Sequence, residues 1–174
     1  MSLDRLWAGW RLPYVETSDS DPSRVPDGDG SLFERILSAD LSDEEAKVLW
    51  RGERCSALLN AYPYNNGHLM VMPNRAVAEL EDLDPEEYAE LWRVVRDATV
   101  AVKAAYRPHG VNIGLNLGRG AGAGVPDHLH VHVLPRWSGD TNFMTSVAET
   151  RVLPESLGDT WAKLRAAWPD QHGG

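Results

Sequence analysis

At 174 residues, 43% hydrophobic and 25% charged, the chain has the size and composition of one packed domain rather than two. A formal charge of -9 excludes a broad basic surface for a nucleic-acid partner, because that binding is driven by lysine and arginine displacing counterions; a small anion needs only a few local donors. Cys55 is the sole cysteine, which excludes an internal disulfide and any zinc site drawing on two cysteines of this chain. No stretch approaches the roughly 20 apolar residues of a membrane helix, so the expectation is a cytoplasmic protein without a membrane partner.

Residues 1–15 carry Trp7, Trp10 and Tyr14, a heavy aromatic load for a terminus, and read as an arm lying on the body of the domain or on a partner subunit. Residues 16–30 collect Asp, Ser, Pro and Gly without an apolar period and read as a flexible acidic loop. The main domain is expected over 31–174. It opens with "SLFERIL", a short helix, followed by "AKVLWRGERCSALLN", two strands around a turn at Gly52. After the breaker-rich "AYPYNNG" comes the strand "HLMVM", closed by Pro73.

Asp84, Pro85 and Glu87 spell a helix start: a capping side chain, proline in the first turn and an acid at the third helical position. Leu91, Val95, Ala98 and Val102 follow at spacings of four, three and four, so one stripe faces a core, and Pro108 ends the helix. "VNIGLNLG" alternates Val111, Ile113, Leu115 and Leu117 with Asn and Gly, the period of a half-buried strand. Near the C-terminus Leu157, Trp161, Leu164 and Trp168 repeat the helical spacing. Strands, a long helix, two more strands and a final helix make an α+β domain with a mostly antiparallel sheet.

The richest segment is "PDHLHVHVLPRW", 126–137, which spends three of the chain's six histidines at alternate positions. Alternation in a strand turns His128, His130 and His132 to one face and Leu129, Val131 and Val133 into the core. Three readings compete. The row is a solvated strand face; or two imidazoles at i and i+2 ligate a metal, although no acid sits within the run and Cys55 is distant in sequence; or a neutral imidazole attacks phosphorus while its neighbours hold the phosphoryl oxygens. The third reading explains why there are three. The preceding "NLGRGAGAG" supports it, since its four glycines let backbone N–H groups approach a phosphate closely.

"HLHVHVL" matches the pattern His-x-His-x-His followed by two apolar residues and resembles the motif of the histidine-triad (HIT) superfamily of nucleotide hydrolases and transferases. "LWAGWRLPYV", "LLNAYPYNNGHLMVMPNRAV", "ELEDL", "GVNIGLNLG", "GAGVPDHLHVHVLPRWSGDTNFM" and "VLPESL" resemble, in order, blocks of the bacterial branch that includes diadenosine tetraphosphate phosphorylases. The resemblance implies a HIT-like fold and a homodimer whose two sheets join near the long helix. It makes His130 the nucleophile that becomes covalently nucleotidylated, with the His128 carbonyl holding its other nitrogen. His132 would meet the α-phosphate and the departing group, and His68 would support the row from the neighbouring strand. Asn60 matches the position that binds ribose, with Leu58 and Leu59 near the base. Asn116, Gly122 and Gly124 match the phosphate side. Trp137 and Asn142 fall where the leaving group would lie, although Trp137 serves equally well as a packing residue.

Relatives in that branch often carry zinc on a Cys-x-x-Cys, a histidine before the long helix and the first histidine of the motif. Here the matching positions are Ser31, Glu34 and Ala76, with only His128 retained. No structural zinc is expected, with packing around Phe33 taking its place. No cofactor is expected either, magnesium arriving only with a polyphosphate substrate. The implied activity is cleavage of diadenosine polyphosphates, with hydrolysis of adenosine phosphoramidates or non-catalytic nucleotide sensing as alternatives.

Overall fold

The computed structural model describes residues 28–140 and 155–169. The aromatic arm, most of the acidic loop and the segment containing Asn142 lie outside the described residues. Three helices, α1 (Leu32–Ser38), α2 (Pro85–Tyr106) and α3 (Leu157–Ala166), accompany five strands: β1 (Val48–Arg51), β2 (Cys55–Leu59), β3 (Leu69–Pro73), β4 (Gly110–Leu115) and β5 (Val131–Arg136). The strands form one sheet in the order β1-β2-β3-β5-β4, and every neighbouring pair is antiparallel.

The β1–β2 turn shows why glycine stands at position 52. A β-carbon there would lie 2.0 Å from the Trp50 ring and 2.2 Å from Glu90 Oε1, and that same carboxylate accepts the backbone N–H groups of Arg54 and Cys55. Helix α2 begins as its sequence dictates. Asp84 accepts from the Glu87 N–H while the Glu87 carboxylate reaches back to the Asp84 N–H, which satisfies two of the first turn's orphan donors. The helix stops at Arg107, left-handed at φ 46°, one residue before Pro108.

Helix α2 packs across β2, β3 and β5. Its stripe of Leu91, Val95, Ala98 and Val102 is buried against Leu59, Leu69, Val71, Leu129, Val131 and Val133, and α3 contributes Leu164 and Trp168. On the opposite face of the sheet, α1 lays Phe33 against Val48, Leu58, Met70 and Met72. The sheet therefore has two apolar faces, covered by one long helix and one short one. Cys55, buried in the α2 core with its thiol pushed up to about 12 by desolvation, is chemically inert there.

Two expectations change. The alternation in β4 predicts a half-buried strand, yet Ile113 is 46% and Leu117 38% exposed. Val111 and Leu115 are half-buried against the α2 core, but the strand forms the edge of the sheet, so Ile113 between them has no covering layer among the described residues. The second change concerns the histidine row, whose spacing predicts that it lines a surface. Strand β5 starts only at Val131, and His128 and His130 are buried just before it. They are buried because Phe33 of α1 packs edge-on to both rings, with centroids 5.3 and 5.1 Å away.

Candidate active site

The register assembles the site on the α1 face of the sheet. His132 pairs with Met70 of β3 and Gly114 of β4, and Leu58 pairs with Met70. Continuing the β4–β5 register by one pair sets Asn116 opposite His130. Continuing β2–β3 sets Asn60 opposite His68, and the Asn60 N–H donates to the His68 carbonyl. Neighbours across antiparallel strands share a face, so these residues converge on the histidine row. Leu59 does not. Odd where Leu58 and Asn60 are even, it turns into the α2 core, which corrects its expected contact with a base.

Hydrogen-bond partners, most of them backbone groups, determine where the protons of His68, His128, His130 and His132 sit. His130 Nδ1 lies 2.9 Å from the His128 carbonyl; a carbonyl only accepts, so Nδ1 carries the hydrogen and Nε2 carries the lone pair. His128 Nε2 lies 2.8 Å from the Pro73 carbonyl and so carries its hydrogen, which makes Nδ1 the acceptor of the Ser31 hydroxyl. The Tyr64 N–H donates to His68 Nδ1 at 3.0 Å. His68 therefore bears its hydrogen on Nε2 and donates to His132 Nδ1 at 2.9 Å. That leaves His132 with its own hydrogen on Nε2. The middle ring thus presents a lone pair on Nε2 and the third an N–H donor.

Burial reinforces the neutral state. Desolvation holds both His128 and His130 below the ordinary imidazole value, and the neighbouring His128 ring pushes His130 the same way, against the opposing pull of the His128 carbonyl. A neutral, desolvated Nε2 at His130 is primed to attack an electrophile at neutral pH. His132 lies edge-on to His130, centroids 4.9 Å apart, within reach of the same reacting group.

The remaining expected residues divide. Asn60, buried, spends its carbonyl on the Tyr62 N–H at 2.9 Å and so anchors the turn that brings Tyr64 and His68 together. Gly122 adopts φ 89°, with open space where a β-carbon would project, and ends a short 3-10 turn over Arg119–Ala121. Gly124 follows it, half-buried, ahead of the histidine row. Trp137 packs edge-on to Tyr106 of α2, 6.1 Å between centroids, on the side of the sheet away from the histidines. Asn142 lies outside the described residues.

Four residues contribute in ways that the sequence reading does not assign. Tyr64 stacks on His132, 5.9 Å between centroids, and tilts over His68 at 4.6 Å; nothing local in "AYPYNNG" announces that. Asp140 takes a bidentate contact from Arg136 and bonds from Asn65 and the Trp137 N–H, pinning the loop after β5 to the one before β3. Ser31 and Glu34 form a capping box on α1, and the Ser-x-x-Glu spacing is the available signal.

The positions that the sequence resemblance matches to zinc ligands are engaged in other bonds. Ser31 bonds His128, Glu34 accepts the N–H groups of Ser31 and Ala76, and both ring nitrogens of His128 are engaged by oxygen atoms. With one imidazole, one carboxylate and no thiolate, the donor set does not fit tetrahedral zinc. Among the described residues no cluster of three or more His, Cys, Asp or Glu could hold a metal ion.

Comparison with known proteins agrees with this geometry. A family model described as HIT domain matches residues 42–139. The chain is 45% identical over 170 residues to a Mycobacterium tuberculosis protein named AP-4-A phosphorylase, covering 97% of this chain and 86% of that one. It is 37% identical to the asymmetrical bis(5'-nucleosyl)-tetraphosphatase of Schizosaccharomyces pombe over 55% of this chain and 52% of that protein. Among solved structures, a Zn-bound histidine triad family protein from Mycobacterium smegmatis superposes with a TM-score of 0.63 at 29% identity, covering 79% of this chain and 91% of that one. With the matched model spanning more than half its length and the imidazole row in place, the chain belongs to the histidine-triad family.

Proposed function

We propose that this HIT-family enzyme cleaves diadenosine polyphosphates through a nucleotidyl-histidine intermediate, with inorganic phosphate as the second nucleophile. The observation that carries the reading is the 2.9 Å contact between His130 Nδ1 and the His128 carbonyl, which reserves Nε2 for bonding to phosphorus. In the first step Nε2 attacks the α-phosphorus of one adenosine, the bond to the bridging oxygen breaks, and ATP departs from diadenosine tetraphosphate. In the second, a phosphate oxygen attacks the same phosphorus, the P–N bond breaks, and ADP leaves with the imidazole neutral again.

His132, donating from Nε2, is assigned to the bridging and non-bridging oxygens, where negative charge gathers during both steps. Asn116 and the amides around Gly122 and Gly124 are assigned to the remaining phosphoryl oxygens, and Asn60 with Leu58 to the nucleoside. The preference for phosphate over water is supported by the extent of the likeness to the Mycobacterium tuberculosis protein named AP-4-A phosphorylase. Incubation with diadenosine tetraphosphate, with and without phosphate, tests it: ADP and ATP should form only with phosphate. AMP release indifferent to phosphate would replace the phosphorylase by a hydrolase.

The same reading includes a homodimer formed through the β4 edge, supported by exposed Ile113 and Leu117 and by the unpaired N–H and C=O groups any edge strand presents. It needs no resident metal, magnesium entering only with the polyphosphate. A cytoplasmic setting without nucleic-acid or membrane partners is supported by the acidic charge, the single buried thiol and the lack, among the described residues, of a helix long and apolar enough to cross a membrane.

A further inference from the structure

Ser31, Glu34, Ala76 and His128, the four positions that the sequence resemblance matches to zinc ligands, are joined to one another by hydrogen bonds. The Ser31 hydroxyl donates to His128 Nδ1 and accepts the Glu34 N–H at 3.2 Å. The Glu34 carboxylate accepts the Ser31 N–H at 2.8 Å through one oxygen and the Ala76 N–H at 2.9 Å through the other. Two further bonds to backbone close the bracket: the Leu129 N–H donates to the Val77 carbonyl at 2.7 Å, and His128 Nε2 donates to the Pro73 carbonyl. Helix α1, the segment after β3 and the start of the histidine row thus form one hydrogen-bonded unit. At its centre sits the His128 carbonyl that orients His130.

Among the described residues the His128 ring has two polar contacts, the Ser31 hydroxyl and the Pro73 carbonyl, and Phe33 supplies an edge contact from the same helix turn. Removing the hydroxyl leaves Nδ1 without a donor in a buried site, and the ring keeps a single polar anchor, the Pro73 carbonyl. With the hydroxyl goes one of the ties between α1 and the start of the histidine row, where the main chain at 128 supplies the carbonyl that orients His130.

We propose that Ser31, locked in place by Glu34, is a positioning residue for nucleotidyl transfer: a metal-free bracket that holds His128 so that its carbonyl aims the His130 nucleophile. The proposal rests on the assignment of His130 as the nucleophile. Displacement by about 1 Å of a group in line for attack is enough to cost on the order of a hundredfold in rate. Loss of the bracket should therefore slow the covalent step and leave substrate binding nearly intact.

The test uses the full-length protein, diadenosine tetraphosphate and rapid quenching, with nucleotide on His130 quantified by mass spectrometry. Ser31→Gly removes the hydroxyl at little expense to the helix start, because glycine is itself a tolerated N-cap. It should slow formation of the covalent species roughly ten- to a hundredfold, with KM changed less than about threefold. Ser31→Thr, which keeps a hydroxyl, should recover most of the rate. Metal analysis of the purified protein should find no stoichiometric zinc. Labelling by Ser31→Gly at the wild-type rate, or one zinc per chain in the wild type, overturns the proposal. Circular dichroism identifies a Ser31→Gly preparation that fails to fold; the deciding pair is then Ser31→Thr against Ser31→Val, equal in shape and differing in the hydroxyl, where faster labelling by the threonine variant supports the bracket and equal rates overturn it. Wild-type turnover with no nucleotide on His130 overturns the nucleophile assignment instead, an outcome recognisable without any Ser31 variant.

Discussion

Helices α1 and α2 open with the same device and use it differently. In both, an N-cap side chain accepts the N–H three residues on, and a glutamate there returns to the cap's own N–H. At α2 the box launches 22 residues, and Glu87 is gripped by Arg75 through both carboxylate oxygens; its bonds run to backbone and guanidinium rather than to an imidazole. At α1 the helix has seven residues, too short to persist through its own hydrogen bonds, and the cap reaches across 97 positions of sequence to His128. One box stabilises an element. The other uses a small element to hold the histidine whose carbonyl orients His130, so stability and turnover should respond differently to changes in the two.

The largest expected effect sets the scale for that contrast. His130→Ala should abolish formation of the covalent nucleotide and lower kcat by about a thousandfold or more, with the fold retained in circular dichroism. If the variant turns over normally, neither box bears on catalysis. Next comes Ser31→Ala, which should both slow the first step and lower unfolding stability by about 1–3 kcal/mol, since a buried acceptor loses its donor; urea titration alongside quenched kinetics separates the two losses. Asp84→Ala, the matched change in α2, should lower the melting temperature slightly and leave kcat within about twofold. Equal kinetic damage from both would erase the distinction.

The smallest effect is a pH dependence. His128 and His130 have folded-state values below the ordinary 6.5. As pH falls through 6.5 the unfolded chain takes up protons that these buried rings refuse, so stability declines with acidification below that point and is fully retained above it. Urea midpoints should hold from about pH 8 to 7 and fall from about 6.5 towards 5, before carboxylates titrate. Holding His130 neutral by the same means should move any acid fall in single-turnover labelling below the ordinary imidazole value of 6.5. A labelling rate that drops already at about pH 7 would mean the ring is not desolvated.

How much of the molecule is legible in its sequence depends on the range of the interactions. Helix α2 can be read because cap, proline and apolar stripe all lie within its own span. The histidine row can be read because alternation is local, although its burial cannot: Phe33 comes from almost a hundred residues earlier. The β4 pattern predicts the strand and the half-burial of Val111 and Leu115 correctly but not the exposure of Ile113, since an apolar period says that a face seeks cover and not whether the same chain supplies all of it. Ser31 and Glu34 stand out in the sequence as missing thiolates, which hides the capping signature in the same four residues. Tyr64, placed over two imidazoles by a tight turn, leaves no trace in composition.

The proton positions of the four imidazoles are dictated mainly by peptide groups: two carbonyls and one amide, none of which ionises. Dissolved salt weakens charge pairs yet barely touches such contacts, so the orientation of the attacking nitrogen should be as well defined in concentrated electrolyte as in dilute buffer. Side chains around the pocket can also diverge widely while the choice of which nitrogen attacks stays with the main chain.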